Sequence, residues 1–189
     1  AQLIRLHGID FQNIEEEIAD NPFNTRSSAG VLTSVSGGTA EAILRTLNNK
    51  ITGKELKNLK IAELRNNKSL KETKIKIGEK TIGVAVISSL VTARCFIKKL
   101  PQLKNLHLIE IMACPGGCVN GGGQPLKADK KDVKLRMKSI YEIDNKELIK
   151  VAHKNPQVIE LYKEHFEKLQ EKEKQEILFT NYCKRDVPL

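Results

Sequence analysis

The stretch "IGVAVISSLVTARCFIKKLPQLKNLHLIEIMACPGGC", residues 82–118, decides the fold. It opens on a nearly continuous apolar run, Ile82 to Ile87, of the kind buried on both faces in parallel sheets. "LVTARCFIKKL" (90–100) reads as a helix and "NLHLIEIM" (105–112) as a second strand, which makes a β-α-β unit. Just upstream, "KIKIGEKTIGVAVIS" (74–88) reads as a hairpin that turns at Gly78. The glycine-rich loop with Cys114 and Cys118 therefore starts past the carboxyl end of a predicted parallel strand, where open α/β sheets hold ligands.

The rest of the chain fills in around this unit. Residues 1–19 read as an amphipathic helix, a turn at Gly8 and a second short helical piece, and "DNPFN" (20–24) breaks the pattern. "AGVLTSVSGG" (29–38) is β-prone and ends in a glycine pair. "TAEAILRTLNNK" (39–50) is helical, with Ala40, Ile43, Leu44 and Leu47 on one face and Ser36 as the expected N-cap. Residues 53–70 read as a loop with some helix. From 141 onward the pattern becomes helical, and Val158, Leu161, Tyr162, His165, Phe166 and Leu169 form a packing stripe. The expected fold class is α/β, a mostly parallel sheet flanked by helices, followed by a helical C-terminal segment.

With 189 residues, 40% hydrophobic and 29% charged, the chain has ordinary globular composition. It contains no run near the roughly 20 apolar residues that a membrane span needs, and no signal-peptide pattern. Four cysteines are too sparse for a disulfide scaffold, so the expected location is cytoplasmic. The net charge of +9 raises nucleic acid as a partner. The lysines, however, are interleaved with Glu along the whole chain and lack alternating aromatics, so no nucleic acid is expected. A basic surface also suits an acidic electron-transfer partner.

Three chemistries use paired thiols. Structural zinc needs a second Cys or His pair, and the available histidines, His107, His153 and His165, do not form one. Redox dithiols favour C-x-x-C at a helix start, which is not the spacing here. An iron–sulfur cluster is wrapped by backbone amides, and glycine lets the backbone approach closely; this reading fits Pro115, Gly116, Gly117 and Gly121 to Gly123 best. A cluster takes about four ligands. Cys95 reads as a small buried hydrophobe on its helix and Cys183 lies in a polar tail, so the remaining thiolates are expected on a segment outside this chain.

"EIMACPGGCVNGGGQP" (110–125) resembles the third signature of the active-site domain of iron-only, or [FeFe], hydrogenases and matches it at every specified position. "GVLTSVSGGTAEAILR" (30–45) and "VAVISSLVTAR" (84–94) resemble further stretches of that family in order, and "NPQVIELYKEHF" (155–166) and "LFTNY" (178–182) resemble its small-subunit-like helical segment. The resemblance implies residues 1–140 as the C-terminal part of an H-cluster domain and 141–189 as the small-subunit-like segment. It implies a cofactor in which a [4Fe-4S] cluster is linked to a di-iron subcluster, the H-cluster. Cys114 would ligate the cubane. Cys118 would ligate the cubane and bridge to the di-iron unit, and Met112 would pack against that unit. The implied activity is reversible oxidation of H2, linked to a ferredoxin-like carrier or NAD(P). Gly37 and Gly38 are expected to let the backbone come close, with the following helix N-terminus facing an anionic cofactor.

Two departures stand out. The family's first and second signatures, which carry the other cubane cysteines, a proton-relay cysteine and a lysine, are absent from the chain. It therefore resembles a fragment or one chain of a split enzyme, whose partner is the upstream half of the domain. Thr33 and Ser34 replace a Phe-Gly pair that lines the cluster in typical members, which leaves room for a sensory variant. The alternative class is a non-catalytic iron–sulfur assembly or H2-sensing paralogue.

Overall fold

The computed structural model describes residues 2–17, 25–56, 58–125 and 129–183. Its centre is a three-stranded sheet of β1 (Leu70–Ile77), β2 (Lys80–Ser88) and β3 (Leu108–Met112), in the spatial order β1-β2-β3. The hairpin and the β-α-β unit form as expected. β1 pairs antiparallel with β2 through the Gly78 turn, and β2 pairs parallel with β3, Val84 opposite Leu108 and Ser88 opposite Met112. The sheet is thus mixed, with one antiparallel and one parallel pairing. Ile82 to Ile87 are all buried, and the missing Cβ of Gly83 admits the Asn105 carbonyl.

In chain order the helices are α1 (Gln2–Leu6), α2 (Ser28–Leu32), α3 (Gly38–Thr52), α4 (Leu90–Lys99), α5 (Lys130–Lys146), α6 (Pro156–Leu161) and α7 (Glu171–Leu178). One sheet face packs Val84, Val86, Ile77 and Ile82 against Ala40 and Leu44 of α3. The other packs Ala85 and Ile87 against Ala93 and Phe96 of α4. A third cluster sets Val133 and Met137 of α5 beneath Val35 and Val119. No helix of the described residues is long and apolar enough to cross a membrane.

Several sequence expectations are corrected. Residues 29–38 are not a strand. They are helical through Leu32, then turn, and only Val35 makes a β-bridge, to Gly117. Tertiary anchoring overrides the β propensity, because Ser28 is fixed by the Ile149 carbonyl and by Asp144. The second helical piece after Gly8 does not form: the Asp10 carboxylate accepts from the Gln12 amide and the Asn13 side chain, a local turn that competes with helix. No helix forms among the described residues of 53–69. "DNPFN" lies outside the described residues. In the tail only Phe166 of the expected stripe is buried. The chain makes a π-turn over Tyr162–Phe166 that stacks those two rings at 4.9 Å and leaves Val158, Tyr162 and His165 exposed. Cys95 is exposed, because the buried face of α4 runs through Ala93 and Phe96.

A buried ionic cluster joins these parts. Arg45 of α3 is fully buried and uses all five of its N–H groups. They go to Glu41 at 2.6 Å, to both Asp144 oxygens at 2.8 and 2.9 Å, and to the carbonyls of Leu59 and Lys150. Arg65 forks onto Glu41, reaches Asp144 at 2.7 Å and lies 4.4 Å from the centre of the Tyr141 ring. Burial pushes the Tyr141 hydroxyl up to about 12. Burial alone would raise the Asp144 carboxyl, but hydrogen bonds from Arg45, Ser28 and Arg65 outweigh it and hold the group well below its usual range. Because the folded state depresses this pKa, its stabilisation is full above the unfolded value of about 4 and is lost as pH falls further. Denaturant midpoints are expected to fall as pH drops below about 4, and Asp144→Asn to flatten that dependence; an unchanged slope in the variant contradicts the assignment.

Candidate iron–sulfur site

Met112 ends β3 and is half-buried. Its carbonyl accepts a 2.9 Å hydrogen bond from the amide of Ser89, which stands at the end of β2. Ser89 holds φ +123°, a conformation non-glycine residues avoid, and its hydroxyl caps α4 by accepting from the Thr92 amide at 3.2 Å. The cysteine loop leaves from this end of the sheet. Cys114 is half-buried, Cys118 exposed, and both are free thiols.

The loop is built on backbone hydrogen bonds. The Gly117 amide donates to Cys114 O at 3.0 Å, and a single 3-10 turn over Cys118–Asn120 follows. The loop is clamped to the turn between α2 and α3: Ser36 N donates to Gly116 O at 3.0 Å and Val119 N to Ser34 O at 3.3 Å. Gly117 carries the tightest demand. At φ +98°, a Cβ there would lie 2.7 Å from Ser36 N and 2.8 Å from Ser34 O. From below, Arg136 of α5 donates to Val119 O at 3.0 Å. On the thiol side the backbone stays bare: a Cβ on Gly121 would meet Cys114 Sγ at 3.5 Å, and beside Gly122 and Gly123 there is open space.

Glu110 governs the turn that clamps the loop. It is 8% exposed, and its carboxylate accepts from Gly37 N at 2.6 Å and Ala40 N at 2.8 Å. The N-cap of α3 is therefore Gly37, at φ +94°, and not Ser36. At this helix start, where the sequence suggests an anionic cofactor, an internal carboxylate meets the positive end. Gly37 and Gly38 serve close packing within the chain, since a Cβ on Gly38 would sit 1.7 Å from Leu32 O. Buried Lys71 donates to Ser36 O at 2.6 Å and Leu64 O at 2.9 Å. Burial lowers its ammonium to about 8, against the opposing pull of Glu110. The sequence reading quoted Glu110 without giving it a role; the signal was one acid inside an otherwise apolar strand.

Thr33 and Ser34 sit in the same turn. Their hydroxyls donate back into α2, to Gly30 O at 2.6 Å and Val31 O at 2.8 Å, so neither proton is available to a neighbouring group. Cys95 and Cys183 are exposed elsewhere on the chain, and among the described residues no group of three or more Cys, His, Asp or Glu gathers around the two loop thiols.

Two free thiols on a glycine loop at a strand's carboxyl end make this α/β domain's candidate metal-cluster site. Comparison with known proteins makes the family specific. The description "Iron only hydrogenase large subunit, C-terminal domain" matches residues 1–122, and "Iron hydrogenase small subunit" matches residues 129–185. The chain is 34% identical over 186 residues to the NADP-reducing hydrogenase subunit HndD of Solidesulfovibrio fructosivorans, covering 98% of this chain and 32% of that protein. It is 28% identical over 150 residues to the cytosolic Fe-S cluster assembly factor narfl of Danio rerio, covering 79% of this chain and 36% of the relative. The [FeFe]-hydrogenase HydA1 of Chlamydomonas reinhardtii superposes with a TM-score of 0.64 at 31% identity, over 87% of this chain and 48% of the other. The chain belongs to the iron-only hydrogenase family, and it spans about a third of the length of these curated relatives.

Proposed function

We propose that this chain supplies two of the cluster thiolates of an [FeFe] hydrogenase H-cluster, within an assembly that oxidises H2 reversibly to protons and electrons. The observation that carries the reading is the loop itself. Two free thiols stand on a rigidly clamped backbone, with bare glycines on the side a cluster would occupy and no third ligand among the described residues. Such a donor set fits part of a cluster that takes about four ligands.

In this reading the thiolates of Cys114 and Cys118 would both hold the cluster. Met112 packs against the di-iron unit. Gly121 to Gly123, which carry no side chain there, would let main-chain amides come close to the cluster and tune its potential. When bound, the cluster supplies the redox chemistry on hydrogen. The chain supplies ligation, a fixed loop and shielding from water. The remaining ligands come from the upstream half of the domain or from a second chain. Electrons pass to a ferredoxin-like carrier or NAD(P), in the cytoplasm. Residues 1–140 act as the C-terminal part of the H-cluster domain, and 141–189 as the small-subunit-like segment.

The similarity to an assembly factor supports a second reading, a paralogue that holds a cluster without turning over hydrogen. Variants of the assembled, anaerobically reconstituted domain separate the two. The hydrogenase reading expects Cys118→Ser to abolish hydrogen turnover and lower bound iron, and Cys114→Ser to do the same. A wild-type assembly that holds a stable cluster yet shows no turnover supports the paralogue instead.

A further inference from the structure

Lys71 stands on the core face of β1, in line with Ile75 and Ile77, where the alternation of the strand calls for an apolar side chain. It is 4% exposed. Across the sheet Lys71 pairs with Val86 of β2, and Val86 with Glu110 of β3, so the three form one row. The row thus carries a buried cation and a buried anion two strands apart, and both charges meet one peptide of the turn before α3. Lys71 Nζ donates to Ser36 O at 2.6 Å, and the Gly37 amide donates to Glu110 Oε1 at 2.6 Å. The Ser36–Gly37 peptide is gripped at its negative end by the ammonium and at its positive end by the carboxylate. Stability alone does not call for this, because apolar residues of similar volume often hold a core as well as buried charges do. What the charges add is direction. A flipped peptide would set Ser36 O against Glu110 and the Gly37 N–H against Lys71. Direction matters here because the same turn holds the cysteine loop: Ser36 N donates to Gly116 O, midway along the chain between Cys114 and Cys118, and Val35 bridges to Gly117.

We propose that Lys71 is a positioning residue for the thiol pair: with Glu110 it sets the direction of the Ser36–Gly37 peptide and, through the Ser36 amide, the separation at which Cys114 and Cys118 meet a metal. The inference rests on the proposed function and adds to it a residue from the far strand of the sheet. Glu110 of β3 is the charged group that faces Lys71. From β2 comes apolar Val86, while Glu41 of α3 and Arg65 of the 61–65 turn are taken up by one another and by Arg45 and Asp144. The turn itself offers Lys71 only uncharged acceptors, Ser36 O and Leu64 O.

The test uses the whole chain, with Cd2+ alone as the probe of the thiol pair and a Cys114→Ser, Cys118→Ser chain as the background. At neutral pH, Lys71→Met is expected to weaken Cd2+ binding above that background about tenfold or more. Lys76→Met, exposed on the same strand, is expected to leave it unchanged. In the doubly substituted chain, where neither loop thiol can titrate, the amide NMR shifts of Ser36, Gly37 and Gly117 are expected to follow one titration near the Lys71 value of about 8. Adding Lys71→Met is expected to abolish it. A lysine that merely fills space would leave Gly117 flat, and this titration decides the matter if Lys71→Met does not fold. Flat Gly117 shifts, or unchanged Cd2+ binding in a folded Lys71→Met chain, overturn the proposal. If both expected results hold but the assembled domain takes up no cluster, the hydrogenase reading fails and Lys71 still positions the thiol pair.

Discussion

Replacing Arg45 by methionine is expected to lower the unfolding free energy by about 3–5 kcal/mol. The loss does not come from a missing attraction alone. Glu41 and Asp144 are each nearly inaccessible, and Arg45 bonds to both. Removing it leaves Arg65 as the one cation against two buried carboxylates, a charge imbalance in a low-dielectric interior. The cluster also ties α2, α3, α5 and the turn at 59–65 together, through Ser28, Arg45, Asp144, Arg65 and the Leu59 carbonyl. Guanidinium unfolding of the wild type and variant checks the figure, and a melting temperature lower by roughly 10 °C is the thermal counterpart for a chain of this size. A change under about 1 kcal/mol contradicts this account and makes the cluster no better than a surface ion pair.

Glu110→Ala is expected to cost roughly 2–4 kcal/mol, and its effect extends beyond stability. The substitution strips the acceptor from the amides of Gly37 and Ala40 and removes an anion that favours the charged form of Lys71. The turn over 33–37 then loses the contact that ties it to β3, and that turn carries the cysteine loop through Ser36 and Val119. Faster amide exchange is therefore expected at Ser36, Gly37, Ala40 and Val119, with Val84 and Val86 in the sheet unaffected. Glu110→Gln, which keeps one acceptor oxygen, is expected to lose less. If only Gly37 and Ala40 respond, Glu110 is a helix cap and does not position the loop.

How far the sequence reveals these arrangements depends on how local each signal is. β2 was legible because an apolar run between turn residues has few alternatives, and α3 because its apolar residues recur at helical spacing. The cysteine loop was legible because glycines and thiols at a strand end are chemically unusual. α2 was not, because Val31, Leu32, Thr33 and Val35 favour strand locally, whereas Ser28 is anchored by Asp144 more than a hundred positions away. The same distance hid the ionic cluster: Glu41 and Arg45 are a visible i,i+4 pair, but nothing local points to Asp144. Cys95 was misplaced by reading hydrophobic neighbours as one face, when the buried face of α4 runs through Ala93 and Phe96. Within the site, the thiols were readable and their support was not. Glu110 acts through two backbone amides, which no side-chain pattern advertises.

The measurement that tests the central claim most directly is anaerobic iron and sulfide analysis with EPR on this chain, alone and then together with a polypeptide that carries the remaining cluster cysteines. The account predicts no complete cluster on the chain alone, and cluster signals with hydrogen turnover only in the pair, where Cys114 and Cys118 form part of a shared site. A stable cluster on the chain alone contradicts it: the ligands would then include Cys95 or Cys183, and the chain would hold its cluster as an assembly or sensor protein does.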